Sequence, residues 1–461
     1  MKKVLALLLT MTISGFSQTD SIKTEIIKDF RKMGSNYYTY PTPTAKYTKA
    51  PAGYKPFYVS HYGRHGSRFH HTASDYNALY ATLAKADSAG KLTELGKSLL
   101  ERAKFLNEYA APRAGDLTQL GVAQHQGIAK RMVKNFPEVF KNDAYIEAYA
   151  STSVRCVVSM AAFLEELRAQ KPKLDIHQES SKYYMSFISP LDFGKIINES
   201  NTPAWQKENA KLYSHVNTDR MMRAIFNDSN YIKKSVNAGD LYTKIYEIGN
   251  NLQGTPEIEF SFDDLWTDAE LYERWRAQNA WWYSVLANNP FGKKEGLENA
   301  RPLLKNVLEV ADNVIAADTA KADKTSAKDA KATKPAKKTS ATLRFGHDTV
   351  IIPFTALLQL EKDSLYAGIE TSDMENLHKV WRDYEITPMA ANVQFIFYKS
   401  AKKGAPILVK VMHNEKEQRL PVTCNQQVPS TGSGTLQNCP AAPYYRWDDV
   451  RTFYGKIAAE K

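Results

Sequence analysis

Tyr58-Val-Ser-His-Tyr-Gly-Arg-His-Gly-Ser-Arg-Phe-His70 begins apolar and ends as a dense cluster of arginine and histidine broken by glycine. Phe57, Tyr58 and Val59 have the character of a short buried strand. Gly63 and Gly66 permit a tight bend with close backbone approach. Arg64, Arg68 and several histidines are thereby delivered to the end of a strand. In open α/β sheets, ligands bind in the crevice outside the carboxyl ends of the strands. Two guanidinium forks converging there suit a phosphate or a carboxylate, and His65 between them is placed to attack whatever they hold.

Working outward, the pattern of strand, capped turn and helix repeats. Helices are expected over 74–85, 92–109 and 122–135, the last introduced by Gly115-Asp-Leu-Thr-Gln-Leu-Gly121. Ala144–Ala150 alternates like a strand and runs into Ser151-Thr-Ser-Val-Arg-Cys, which opens a helix to Leu167. An arginine at a helix start opposes the helix dipole unless an anion is present, so Arg155 itself points to a bound anion. Thr342-Leu-Arg-Phe-Gly346 is a third strand, with His347-Asp348-Thr349 at its end and an apolar helix through Leu360. Asn392–Tyr398 and Pro406–His413 read as an adjacent antiparallel pair, and 445–458 as a closing helix. The expected fold is α/β, a central mixed sheet flanked by helices.

The remaining stretches set the domain plan. Met1-Lys-Lys-Val-Leu-Ala-Leu-Leu-Leu has the basic start and short apolar run of a secretory signal peptide, with residues 1–17 as the expected leader. Export, to a periplasm or outside the cell, is the expectation. No later segment reaches the roughly 18 apolar residues of a membrane span. Residues 20–56 lack a period and are expected to wrap the surface. The catalytic domain is expected from 18–170 and 300–461. Between them, 171–299 carries five of the seven tryptophans and reads as an inserted, mainly helical cap, with Trp281-Trp282-Tyr283 in its core. Residues 318–340, rich in Lys and Ala, have no large apolar side chain to bury and are expected to be a mobile insertion.

Composition excludes some functions. The net charge of +11 suggests nucleic acid until its sources are found: Lys2, Lys3 and the 318–340 stretch supply six of those charges. No nucleic-acid motif accompanies the rest. Of three cysteines, Cys424 and Cys439 flank a Pro/Ser/Thr/Gly loop that burial could not order, and are expected to pair. Closing such a loop is worth about 3 kcal/mol. Cys156 is left as a buried helical thiol.

Arg64-His65-Gly66-Ser67-Arg68 resembles the signature of the histidine phosphatase superfamily. With Ser151-Thr-Ser-Val-Arg-Cys and His347-Asp348 following in that order, the chain resembles its secreted acid-phosphatase branch of acid phosphatases, phytases and multiple inositol-polyphosphate phosphatases. The similarity runs over 57–170 and from 340 onward, with Leu408-Val-Lys-Val-Met-His-Asn414 as a further landmark. It implies a phosphoglycerate mutase-like sheet with a helical insert, and hydrolysis of phosphomonoesters through a phosphohistidine. It also implies His65 as nucleophile, Arg64, Arg68, Arg155 and His347 as the phosphate pocket, and Asp348 as proton donor. No cofactor or metal is expected, since the cations already neutralise a phosphate dianion, and the optimum is expected at about pH 4–6.

Two departures stand out. His70 replaces a proline usual in the family, and His347-Asp348-Thr349 stands where inositol-polyphosphate phosphatases commonly carry His-Ala-Glu. His61, His70 and His71 are read as structural or substrate-lining. A phytase or inositol-polyphosphate phosphatase is the specific alternative. From other classes come a phosphotransferase and a non-catalytic phosphate-binding protein, and the complete His, Arg and Asp set argues against the latter.

Overall fold

Phe57 to Arg64 is buried without interruption, as a strand covered on both faces must be. It lies at the centre of an eight-stranded sheet. The computed structural model describes residues 22–44, 46–190, 192–292, 294–323, 338–363, 365–424 and 439–460. In chain order the sheet comprises β1 (Tyr54–Arg64), β2 (Tyr145–Ala150), β3 (Asp175–Ser180), β4 (Thr339–Gly346), β5 (Asn392–Ser400), β6 (Leu408–His413), β7 (Lys416–Glu417) and β8 (Tyr445–Arg446). In space the order is β8-β6-β5-β1-β4-β2-β3, with β7 beside β6. β1, β4, β2 and β3 are mutually parallel, whereas β5 and β6 add antiparallel strands on the other side of β1. The mixed sheet is the one the sequence implied.

Helices α1 (Ala73–Ser88), α2 (Glu94–Tyr109), α3 (Gln119–Asn135), α4 (Val154–Gln170), α5 (Ala238–Asn251), α6 (Asp268–Leu286), α7 (Arg301–Asp323), α8 (Asp348–Leu357) and α9 (Trp447–Ala459) surround it, with further helical turns between them. α3 and α4 cover one face through Ile128, Met132, Phe163 and Leu164. On the other face α7, α8 and α9 bring Leu304, Leu308, Ile351 and Val450. Each fully buried aliphatic side chain of this kind stabilises by about 1.5–3 kcal/mol. None of the helices among the described residues is long and apolar enough to cross a membrane.

Register places the site. Arg64 of β1 lies beside Gly346 of β4, and Ala150 of β2 beside Phe345. Three parallel strands therefore finish level, at the edge where α/β sheets bind ligands.

Three details differ from the sequence reading. The 171–299 stretch is mostly helical but begins with β3, a member of the main sheet. Its side chains are half-buried or exposed along the whole strand, so hydropathy gave no sign of it. The helical layer over the strand ends also draws on earlier chain. α1, α2 and α5 share one apolar cluster, with Leu79, Leu83, Leu99, Leu106, Met222 and Ile245. Finally, α7 continues to Asp323 and β4 starts at Thr339, which trims the Lys/Ala-rich insertion from both sides. Asp318 is anchored there by Lys399 at 2.7 Å and by Lys338. The middle of that insertion, the 1–17 leader and residues 425–438 lie outside the described residues. Cys424 and Cys439 form a disulfide, and Cys156 is a buried free thiol.

Candidate active site

Backbone hydrogen bonds fix the run that leaves β1. Arg64 N donates to Ala391 O at 2.7 Å, His65 N to Gly346 O at 3.0 Å, and Ala390 N to His65 O at 2.9 Å. Ser67 N donates to Gln124 Oε1 at 2.8 Å and Gly66 N to Ser159 Oγ at 3.2 Å. Gly66 is pressed against the first turn of α3: a Cβ there would stand 2.5 Å from Gly121 O and 2.6 Å from its Cα. That close approach is the one the sequence implied. Gly63 lies within β1 rather than in a bend, and its missing Cβ makes room for the His61 ring at 2.7 Å.

His65 is buried, with Nδ1 2.9 Å from Gly66 O. A carbonyl only accepts, so Nδ1 carries the proton and Nε2 keeps its lone pair. Burial, reinforced by Arg64, Arg155 and Arg68, holds the pKa of this ring well below the ordinary histidine value. The imidazole is neutral. His347 stands beside it, ring centroids 5.7 Å apart and nearly perpendicular, with Nε2 3.0 Å from Ser151 Oγ. Burial and then Arg155 push His347 down to about 4.

The three arginines converge from β1, its following loop and α4. Arg64 Nη1 donates to the carbonyls of Asn36 and Thr387, both at 2.6 Å, and Nη2 lies 2.7 Å from Asp348 Oδ2. Arg68 donates to Phe69 O at 3.0 Å and lies over the Tyr37 ring. Arg155 is the second residue of α4. In all three the buried Nε has no hydrogen-bond partner among the described residues. A buried unsatisfied donor costs about 1–3 kcal/mol, and three around one imidazole mark an anion site. Arg68 and Arg155 line the cavity, whereas Arg64 stands one layer back, behind Asp348.

Asp348 opens α8. Its Oδ1 accepts from Thr349 N at 2.8 Å and its Oδ2 from Asn36 Nδ2 at 2.9 Å. Burial pushes this carboxyl up, but Arg64, Arg68 and the Asn36 amide outweigh it and hold the pKa below the usual carboxylate range. Asn36 belongs to a 3-10 turn, Phe30–Tyr37, in the stretch expected to wrap the surface. Met33 to Tyr37 are instead buried, and Tyr37 and Asn36 line the site. The tyrosine density of this stretch was the one sign of burial.

The site opens into a cavity of about 630 Å³, a size that suits a small-molecule substrate. Its floor holds His65, Arg68, Arg155, His347 and Asp348. Its walls come from α1, α5 and α6 and include Asp75, Glu247, Arg274, Trp281 and Trp282. The tryptophan pair packs in the core as expected and also borders the cavity. His71 lines it too, whereas His61 is core, packed on Phe163 and Phe345. His70 is buried behind the wall, with Nδ1 3.2 Å from Tyr37 Oη and Nε2 2.8 Å from Asp75 Oδ2. One group of potential metal ligands exists among the described residues: His70, Asp75 and Glu247, whose ligand atoms lie within 4.8 Å of one another. Both ring nitrogens of His70 are engaged, and Lys244 Nζ stands 3.8 Å from Asp75, so the group has the makeup of a hydrogen-bonded wall rather than a cation cage.

Known proteins resemble this chain in sequence and in fold. Over 75 residues, 16% of this chain and 12% of the relative's length, the sequence is 36% identical to multiple inositol polyphosphate phosphatase 1 of Dictyostelium discoideum. The Bifidobacterium longum multiple inositol polyphosphate phosphatase, solved with phosphate, superposes with a TM-score of 0.68 at 18% identity, covering 93% of this chain and 98% of that one. The phytase of D. castellii gives 0.61 at 14% identity, covering 95% and 86%. At such identities the likeness is one of fold. The model of the histidine phosphatase superfamily (branch 2) matches residues 63–414. That span takes in the glycine-bound Arg-His-Gly-Ser-Arg run, the arginine of α4 and the His-Asp pair at the end of β4, and the chain belongs to this family.

Proposed function

We propose that the protein hydrolyses phosphomonoesters through a phosphohistidine formed on His65. The observation that carries this reading is a neutral imidazole with Nδ1 tied to a carbonyl, ringed by three guanidinium groups whose Nε donors are unpartnered.

The steps follow from the residues. Arg68, Arg155 and His347, with Arg64 behind them, take the non-bridging oxygens of the substrate phosphate, and their charge offsets what develops there in the transition state. His65 Nε2 attacks phosphorus in line as the P–O bond to the alcohol breaks. Asp348 gives its proton to the departing oxygen. In the second step water attacks the phosphohistidine, Asp348 takes a proton from that water, and phosphate leaves with His65 restored. Asp348 is ionised while the arginine field acts on it alone. An arriving dianion cancels that field and raises the carboxyl into a range where it can carry a proton, which fits an acidic optimum.

The substrate class is phosphomonoesters in general. A polyphosphorylated inositol is the second reading, favoured by cavity size and by what the Dictyostelium relative is named for. The N-terminal pattern and the Cys424–Cys439 disulfide support an exported enzyme.

Acid-stable protein-bound phosphate is not expected, because phosphohistidine is acid-labile. Rapid quench into alkali with a ³²P-labelled ester should trap label on wild type and none on His65→Ala, whose hydrolysis should fall more than a thousandfold. Less than a tenfold loss in His65→Ala would overturn the nucleophile.

A further inference from the structure

The cavity wall beside the phosphate floor carries two carboxylates, Asp75 and Glu247. Glu247 of α5 lines the cavity and has no hydrogen-bond or ion-pair partner among the described residues. Its carboxylate lies within 4.8 Å of that of Asp75 on α1. Asp75 is compensated by His70 Nε2 at 2.8 Å and by Lys244 Nζ at 3.8 Å, whereas among the described residues no cation stands within ion-pair distance of Glu247. Among the described lining residues the wall offers one cation, Arg274 of α6. That guanidinium is already engaged by Gln278 Oε1 at 3.1 Å and by the Tyr246 ring at 4.2 Å.

We propose that Glu247 is a specificity-determining residue that sets, as a function of pH, how many anionic groups the non-reacting part of the substrate can carry. The proposal rests on the phosphatase reading of the same cavity. The floor accepts one phosphate. The rest of the substrate faces a wall in which Asp75 has Lys244 beside it and Glu247 adds a further negative charge when ionised. Around Glu247, burial raises its carboxyl, Arg274 opposes, Asp75 adds to the rise, and Lys244 and Arg68 oppose more weakly. Tyr37 also faces this region and stays neutral, while His71, lowered to about 4 by burial and then Arg68, adds no charge near neutrality. As pH falls and Glu247 takes up a proton, the wall loses one negative charge and admits a polyanion more readily. As Glu247 ionises, the wall repels additional phosphates, while an ester whose remainder is uncharged is little affected.

Sulfate groups keep their charge between pH 5 and pH 7.5, so any change in their binding across that range belongs to the protein. The test is calorimetric binding of inositol hexasulfate and of inorganic sulfate to the whole chain at both pH values. From pH 5 to 7.5 the Kd of hexasulfate should rise about tenfold more than that of sulfate, and this excess should vanish in Glu247→Gln. Parallel changes for the two ligands in the wild type, or an excess retained in Glu247→Gln, would overturn the proposal. The wild-type arm stands without the variant, and the ratio of two Kd values on one protein cancels any general weakening. Binding needs no turnover. A protein that binds with the expected ratio but hydrolyses no monoester would therefore refute the functional reading and not this one.

Discussion

Replacing Asp348 by Asn keeps the shape of the floor and removes the proton. Arg64 would still be held by the carbonyls of Asn36 and Thr387, each at 2.6 Å, so the guanidinium does not swing away when the 2.7 Å carboxylate contact is lost. The loss is therefore chemical. A positioned general acid contributes roughly 10²- to 10⁴-fold, about 3–5 kcal/mol, where the leaving oxygen needs a proton. A simple alkyl phosphate, which must expel an alkoxide, should lose that whole factor in kcat/KM. p-Nitrophenyl phosphate expels a stable phenolate and should lose less than about tenfold. One negative charge is also removed from beside Arg64 and Arg68, so inorganic phosphate should inhibit Asp348→Asn at least as strongly as the wild type. The assay is kcat/KM over a series of esters from nitrophenyl to alkyl, with the phosphate inhibition constant measured alongside. An equal loss across the series would refute the reasoning, since it would make Asp348 a residue that shapes the floor rather than one that supplies a proton.

Two further outcomes follow from packing and burial. Gly66→Ala places a methyl against backbone atoms of Gly121, which cannot rotate away. It should cost at least about 1–3 kcal/mol of stability and lower phosphatase activity at least tenfold; a normal melting temperature with normal activity would contradict the contact. Burial lowers His61 and His125 to about 3 and His347 and His413 to about 4. The unfolded chain binds these protons below about pH 6.5 and the folded chain does not, so stability is greatest above that pH and falls as pH drops toward 4, by up to about 1.4 kcal/mol per group per unit. Asp383, raised by burial to about 6, works against this with a single proton. The melting temperature at pH 7 should exceed that at pH 5 by several degrees, and an equal or higher value at pH 5 would refute the account.

The floor of the site was legible because its residues have no other reason to be where they are. Arg64, His65 and Arg68 follow a buried strand, Arg155 starts a helix whose dipole disfavours it, and His347-Asp348 ends a third strand. Register then brings together what the sequence keeps apart. Asn36 was not legible. It sits in a stretch without hydrophobic period, and its partner Asp348 is reached only through tertiary packing. The depth of Arg64, one layer behind Asp348, is likewise a matter of side-chain direction that no pattern encodes. Nothing in the sequence singled out Asp75 or Glu247 for the cavity, because the packing of α1 against α5, which turns both toward it, depends on a cluster shared by distant segments. β3 escaped notice for a simpler reason: an edge strand with no buried residue does not alternate.

β4 has a consequence for assembly. β1 and β2 are synthesised early, but they never touch, because β4 fills the gap between them and pairs with both. The chain up to Lys338 thus holds two strands with unpaired facing edges, the proposed nucleophile without the proposed acid, and arginines without a common centre. Pairing across so long a separation comes late, after the entropy of closing the intervening chain has been met. Arrival of β4 seals the sheet and completes the proposed anion site in one event. A phosphate or sulfate ion that binds this floor therefore binds only chains in which that strand is seated, and by mass action it favours the seated state over every earlier one.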